Sequence, residues 1–247
     1  MNKINIEVCA NSTQSAINAQ KAGAIRVELC DNLEEGGTTP ALSQIEATRK
    51  YLDIQVNVII RPRGGDFLYN DIEFEMMKQD IHHCGKVKCD GVVFGILNPN
   101  GTIDKIRNKE LVEIAKQYGM NITFHRAFDR CANLFESLEE IINLGCDHIL
   151  TSGGMKTATE GKDILKKLIE QSDNRIIIMP GGGITENNIS DLVKATDLRE
   201  FHGTFRSEYK GDMKYFSPHF NNSKEEYSIL LSDTDKIQKA IFNANHA

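Results

Sequence analysis

The sequence predicts an α/β protein with the fold of a single-domain (β/α)8 TIM barrel. Eight short segments rich in β-branched and apolar residues recur along the 247 residues, with helical patterns between them. No linker, low-complexity segment or change in composition divides the chain. Barrels of this class use about 250 residues as one domain, so we expect residues 1–247 to form one unit. An open eight-stranded sheet is the alternative.

The order of the elements follows from the periodicity of apolar residues. The predicted strands are residues 4–8, 25–29, 56–60, 91–94, 121–124, 148–150, 176–179 and 200–202. A long connection near residues 207–232 leads from the eighth strand to a last helix.

Three helix starts carry local signals. Thr39 stands before a proline, the residue favoured at the first helical position. Asn133 with Glu136 three residues later resembles a capping box. Thr185 follows three glycines and is predicted to open a helix.

Charge and composition limit the partners and the compartment. The net charge of −6 and the pI of 5.7 argue against nucleic acid or an anionic membrane, because both need a basic surface. The N-terminus lacks a signal-peptide pattern, and no apolar stretch reaches the roughly 20 residues of a membrane span. We therefore expect a cytoplasmic protein whose six cysteines are free thiols.

The strands alternate apolar residues, which face the helices of a barrel, with residues that face its interior. Many interior positions are polar, and one pair they predict is Arg26 with Glu200. The interior residues nearest the carboxyl ends of the strands are Glu7, Glu28, Arg61, His125 and His202. Barrel active sites lie at this mouth. Buried charges are costly unless paired, so these groups form either an ion-pair lattice or a ligand site.

Loops after the strands predict an anion site. Glycine-rich turns at 151–154 and 180–183 offer amide groups to an anion, and arginines stand beside them. The predicted substrate-binding residues are Arg61, Arg63, Asp66, Arg126, Ser152, Gly153, Gly182 and Gly183. A small anionic metabolite, such as a phosphorylated one, would suit them. Turn formation alone is the alternative explanation of the glycines.

Acid–base catalysis is one use of the mouth. A glutamate with a raised pKa, or a histidine whose pKa lies near neutrality, can move protons. The catalytic candidates are Glu7, Glu28, His125 and His202, in an isomerase, lyase or hydrolase. The same four residues could hold a hard metal, but the nearby arginines favour an anion over a cation.

Cysteines offer a soft-metal site instead. Cu(I) prefers thiolate ligands. Cys9 and Cys30 stand just beyond two interior glutamates on adjacent strands, and Cys131 precedes a helix start, a position that predicts a lowered thiol pKa. Cys30 and Cys131 are the best copper candidates, and buried packed thiols are the alternative.

Five motifs in this order resemble the CutC family of copper-homeostasis proteins: RVELCDNLEEGGTTPAL, IIRPRGGDFLYN, TFHRAFDRC, LTSGG and REFHGTFRS. The match runs from residue 6 to about residue 215. The resemblance implies a cytoplasmic barrel, a homo-oligomer such as a dimer or tetramer, and copper binding at Cys30 and Cys131. No organic cofactor is expected. The sequence departs from the family in MPGGGI and in HGTF, where we expect Phe205 to crowd the mouth.

Overall fold

Eight parallel strands form one sheet in a computed structural model, which describes residues 3–215, 219 and 227–247. The strand order is β7-β6-β5-β4-β3-β2-β1-β8, and β7 lies beside β8, so the sheet is a nearly closed barrel. Each strand is followed by a helix on the outside of the barrel. The predicted (β/α)8 fold is confirmed.

The predicted strands agree with those observed to within two residues at each end. The barrel strands are β1 (Asn5–Ala10), β2 (Arg26–Leu29), β3 (Gln55–Ile59), β4 (Gly91–Phe94), β5 (Asn121–Phe124), β6 (His148–Thr151), β7 (Ile177–Pro180) and β8 (Glu200–Gly203). The helices are α1 (Thr13–Ala22), α2 (Leu42–Tyr51), α3 (Asp71–Val87), α4 (Lys105–Gln117), α5 (Leu134–Leu144), α6 (Lys162–Ser172), α7 (Ile189–Thr196) and α8 (Thr234–Asn245). No helix among the described residues has the length and apolar character needed to cross a bilayer.

The main hydrophobic core lies between the strands and the helices. Val8, Val27 and Val58 are fully buried there, each on a different strand. The alternating side chains point into the barrel, where several are buried and polar. The fold thus sets an apolar layer outside the strands and a charged layer inside them.

The helix starts follow the local hydrogen bonds. Asn133 begins α5, because its side chain accepts the amides of residues 135 and 136. Two predicted starts are wrong. The hydroxyl of Thr39 accepts the amide of Arg61 at 2.9 Å, and α2 begins only at residue 42. Thr185 belongs to a turn closed by Asn188, whose side chain accepts the Thr185 amide at 2.8 Å, and α7 follows that turn.

The long connection after β8 contains an antiparallel hairpin, which the sequence did not predict. Its strands are β9 (Arg206–Lys210) and β10 (Ser228–Ser232). The amide of Ser232 donates to the hydroxyl of Ser15 on α1 at 3.0 Å. The hairpin is therefore anchored to the barrel at its base. Residues 216–218 and 220–226 of the predicted connection lie outside the described residues.

Gly91 tests how tightly the interior is packed. A Cβ atom there would lie 2.4 Å from Asn57 Oδ1 and 2.9 Å from the carbonyl of Asn121. We expect Gly91→Ala to lower the free energy of unfolding by about 1–3 kcal/mol, the usual cost of overpacking. Urea denaturation measures it, with Lys166→Ala on the exposed face of α6 as the control. A change within about 0.5 kcal/mol, the range of surface substitutions, would contradict the packing account.

Candidate functional site

A buried ion-pair network fills the centre of the barrel. Arg26 Nε lies 2.5 Å from Glu7 Oε2, and Arg26 Nη2 lies 2.5 Å from Glu200 Oε2. The parallel register pairs Glu7 with Arg26 on β2 and with His202 on β8. Burial opposes ionisation, but Arg26 and His202 outweigh it and lower the pKa of Glu7 to about 2. The predicted Arg26–Glu200 pair is present.

His202 links this network to the barrel mouth. Its Nδ1 lies 2.8 Å from Glu7 Oε1, and its Nε2 lies 3.6 Å from Glu28 Oε2. Burial alone would lower the pKa of His202, but hydrogen bonds to Cys9 and Glu7 and the charge of Glu28 raise it well above its usual value. His202 is therefore an imidazolium that faces two carboxyl groups and a thiol.

Two cysteines and a glutamate meet above His202. Cys9 Sγ and Cys30 Sγ are 3.5 Å apart, and Cys30 Sγ donates to Glu28 Oε2 at 3.3 Å. The ligand atoms of the three side chains lie within 4.8 Å of one another. We call Cys9, Glu28 and Cys30 the thiol cluster. All three residues are buried.

Protonation differs sharply within the thiol cluster. A hydrogen bond from Cys30 lowers the pKa of Cys9 to about 5, against burial and with help from His202. Burial, followed by the neighbouring Cys9, raises the pKa of Cys30 well above its usual range. Burial and the charge of Cys9 raise the pKa of Glu28 to about 8. These shifts favour the thiolate at Cys9 and the thiol at Cys30.

Strand register explains why the thiols meet. Cys9 on β1 pairs with Glu28 on β2, and the amide of Cys30 donates to the carbonyl of Ala10 at 2.9 Å. The side chain of Ile59 packs against both thiols. The sequence places both cysteines on adjacent strands, but Cys9 is not one of the two predicted copper ligands. The parallel pairing of β1 with β2 was the signal that could have identified it.

Cys131 lies elsewhere. It follows a 3₁₀ turn (Arg126–Arg130), and its thiol donates to the carbonyl of Ala127 at 3.7 Å. It is not a member of the thiol cluster. Burial raises the pKa of Cys131 to about 11, so the expectation of a lowered pKa is wrong. The structure pairs Cys30 with Cys9, not with Cys131.

A cleft of 640 Å³ opens at the mouth beside the thiol cluster. Arg61 is a buried part of its wall. The Arg61 guanidinium donates to the carbonyls of Glu35 and Gly37, both at 2.7 Å, and to that of Gly65 at 2.9 Å. It also lies over the ring of Phe67, 5.0 Å from the centroid. Arg61 therefore fixes the two loops that follow β2 and β3.

The glycine-rich turn after β6 binds the carboxylate group of Asp129, a residue of the same chain. Its carboxylate accepts the amides of Ser152 and Gly154, at 3.0 and 2.9 Å, and the hydroxyl of Thr151 at 2.5 Å. Sequence reasoning missed Asp129. The amide of Gly153 donates to the Thr151 hydroxyl at 2.9 Å. These groups satisfy one another, so the predicted amide site for an external anion is occupied by the protein itself.

Arg126 is positioned between the turns after β6 and β7. Its Nε donates to Asp129 at 2.7 Å and its Nη2 to the hydroxyl of Ser152 at 2.8 Å. A Cβ at Gly182 would lie 3.2 Å from Arg126 Nη1, so glycine permits this approach. At Gly183 a Cβ would instead meet Thr157 at 3.0 Å. Arg126, Ser152 and Gly182 come together as the sequence predicted.

Arg63 and Asp66 do not line the cleft, and neither do the predicted residues Ser152, Gly153, Gly182 and Gly183. Arg63 binds the carboxylates of Glu73 at 2.6 Å and Asp66 at 3.0 Å. Asp66 also accepts the amide of Leu68 at 3.2 Å. Neither Arg63 nor Asp66 lines the cleft. They order the loop between β3 and α3, and their role in binding stays a prediction without support from the geometry.

His125 and Phe205 both lie against aromatic rings. The Nδ1 atom of His125 accepts the amide of Ala127 at 3.3 Å, and its ring lies 4.9 Å from that of Phe67. Burial and the charge of Arg61 lower the pKa of His125 to about 3, which favours the neutral imidazole, and its catalytic role stays a prediction. Phe205 packs against Phe201 in the core and does not line the cleft, so the expected crowding is wrong.

The family follows from the whole chain. The model of the CutC family matches residues 4–207. The chain belongs to the CutC family. A CutC family protein of Parabacteroides distasonis is 45% identical over 234 residues, which cover 94% of each chain. The human protein named copper homeostasis protein cutC homolog is 42% identical over 237 residues, covering 94% of this chain and 86% of its own.

Solved structures agree with this assignment. The crystal structure of a CutC protein from Streptococcus agalactiae has a TM-score of 0.77 and 38% identity, and the match covers 81% of this chain and 98% of that one. N-(5'-phosphoribosyl)anthranilate isomerase from Pyrococcus furiosus has a TM-score of 0.60 at 11% identity and covers 99% of this chain and 100% of its own. A likeness that distant shows the barrel fold alone.

Arg26 is expected to be essential for stability in this CutC-family barrel. Arg26→Met leaves Glu7 and Glu200 buried without a counter-charge, so we expect a loss of about 3–5 kcal/mol in the free energy of unfolding. Adding Glu7→Gln and Glu200→Gln should restore part of that loss. Urea denaturation gives both values. A loss below about 1 kcal/mol for Arg26→Met, as for a surface ion pair, would contradict the network's role.

His125 predicts a pH dependence of stability. In the folded chain its pKa is about 3, against 6.5 for an ordinary histidine, so below pH 6.5 only the unfolded chain takes up the proton. Stability should therefore fall as the pH falls through this window, by up to about 1.4 kcal/mol per pH unit. His125→Gln removes this contribution. Urea titrations between about pH 7 and about pH 5 should show a shallower fall for the variant; equal slopes would refute the assignment.

Proposed function

We propose that the protein binds Cu(I) as the cargo of copper homeostasis, at the thiol cluster. The observation that carries this proposal is the 3.5 Å approach of Cys9 Sγ to Cys30 Sγ inside the barrel mouth. Cu(I) prefers thiolate ligands, and carboxylates and imidazoles are weaker competitors for it. Glu28 is the third group within reach.

The protonation of the two thiols is compatible with Cu(I) binding. Cys9 already favours the thiolate, because the pKa of its thiol is lowered to about 5. Cys30 is protonated, so copper must displace its proton, and Glu28 accepts a hydrogen bond from that thiol at 3.3 Å. Ligands of this kind bind metal only when deprotonated. Affinity for Cu(I) should therefore rise with pH.

A positive charge lies beside the thiol cluster. His202 is held by Glu7 at 2.8 Å, and the raised pKa of His202 favours the imidazolium. This imidazolium helps to lower the pKa of Cys9 and so favours the thiolate that Cu(I) prefers. His202 acts here as a counter-charge held by Glu7, not as a ligand.

The names of relatives support the same function. The human relative, 42% identical, is named a copper homeostasis protein. We assign copper binding in this chain to the cytoplasm, where thiols stay reduced. A homo-oligomer, dimer or tetramer, belongs to the proposal as well and is testable by light scattering.

Competition with bicinchoninate for Cu(I), under anaerobic reducing conditions, tests the site. We expect Cys9→Ser and Cys30→Ser each to weaken Cu(I) binding by at least about tenfold, because each removes one of two thiolate ligands. Cys131→Ser should bind as the wild type does.

The control set separates the site from a general loss of thiols. Cys146→Ser removes another buried thiol away from the mouth and should leave the affinity unchanged. Circular dichroism confirms that each variant is folded. Loss of affinity in Cys131→Ser with none in Cys9→Ser would overturn the assignment. Equal affinity in all four variants would overturn copper binding by these cysteines altogether.

A further inference from the structure

We propose that the cleft at the barrel mouth is a second binding site, for a small phosphorylated molecule. It lies beside the thiol cluster and uses none of that cluster's side chains. The cleft is bounded by Arg61, Phe67, Arg126, Arg130, Met155 and Lys156. The proposal stands independently of copper binding.

The cleft carries an excess of positive charge. Four cationic side chains line the cleft, against the carboxylates of Glu35 and Asp129. Two positive charges are thus in excess, in a chain whose net charge is −6. Within the described part of the chain, Arg130 and Lys156 form no ion pair. A phosphate monoester is a dianion, which matches this excess.

The guanidinium group of Arg126 is held in place by its neighbours. Arg126 is held by Asp129 through Nε and by the hydroxyl of Ser152 through Nη2, and neither of these bonds uses Nη1. Asp129 is in turn fixed by amides of the turn after β6. The Arg126 guanidinium is therefore oriented before any ligand arrives. Preorganised guanidinium groups bind phosphate oxygens with good geometry.

The volume of the cleft and the side chains that line it indicate what the rest of the ligand looks like. A cleft of 640 Å³ falls within the range of about 300–1,000 Å³ for small-molecule sites. Phe67 and Met155 give it an apolar surface between the cationic groups. A sugar phosphate fits this combination, with the phosphate on Arg126, Arg130 and Lys156 and the sugar toward Arg61.

The cleft and the thiol cluster share one loop. Gly36 lines the cleft, and the next residue, Gly37, lies against Cys30, where a Cβ would be 3.6 Å from its sulfur. Arg61 holds this loop through the carbonyl of Gly37. The two sites are therefore neighbours on either side of this loop, and each can be tested without the other.

Isothermal titration calorimetry at constant ionic strength tests the proposal, with ribose 5-phosphate as the probe and ribose and gluconate as comparison ligands. The wild type should bind ribose 5-phosphate, bind gluconate at least about tenfold more weakly, and not bind ribose. Arg130→Gln with Lys156→Gln should weaken ribose 5-phosphate binding at least about tenfold. Lys166→Gln with Lys167→Gln removes two exposed charges from α6 and should bind as the wild type does.

Three results would overturn the site. They are no binding of ribose 5-phosphate by the wild type, equal binding by the cleft variant and the α6 control, and equal binding of gluconate. The Cu(I) affinity of the cleft variant, measured with bicinchoninate, should match that of the wild type. Failure of the phosphate site and failure of the copper site are therefore distinguishable.

Discussion

The guanidinium of Arg26 lies between the carboxylates of Glu7 and Glu200 inside the barrel, and the arrangement of the mouth depends on it. Without Arg26 the two buried carboxylates would be uncompensated, and burial would raise the pKa of each. With it, Glu7 stays ionised and holds His202 as an imidazolium. That charge in turn favours the thiolate of Cys9. A structural ion pair near the centre of the barrel thus influences the protonation of the thiol cluster at its mouth.

Arg61 has the corresponding role at the rim. It uses both Nη atoms on three loop carbonyls, so the loop after β2 stays closed over Cys30 and beside the cleft. Asp129 does the same for the turn after β6. The mouth therefore contains two neighbouring features, an enclosed thiol pair that we propose for a soft cation and an open cationic cleft that we propose for an anion.

Much of the fold was predictable, because period-two alternation and regular spacing identify strands whose partners follow from a barrel. The interior charged layer followed from the same alternation. The residues of the candidate site were harder to predict. Identifying Cys9 as a site residue required the register between β1 and β2, which a single sequence does not reveal. Asp129 sits in a loop whose geometry brings it under the amides of residues 152 and 154, and no periodicity reports that. Cys131 was chosen for its position before a helix and for its place in the family motif, but burial raises the pKa of its thiol.

We propose that copper is held by the two thiols that the strand register brings together. X-ray absorption spectroscopy at the copper K-edge, on protein loaded with one equivalent of Cu(I), measures the ligands directly. We expect two sulfur neighbours in the wild type and in Cys131→Ser, and a single sulfur neighbour in Cys9→Ser. A first shell of nitrogen and oxygen alone, or a sulfur count that Cys9→Ser leaves unchanged and Cys131→Ser reduces, would contradict it.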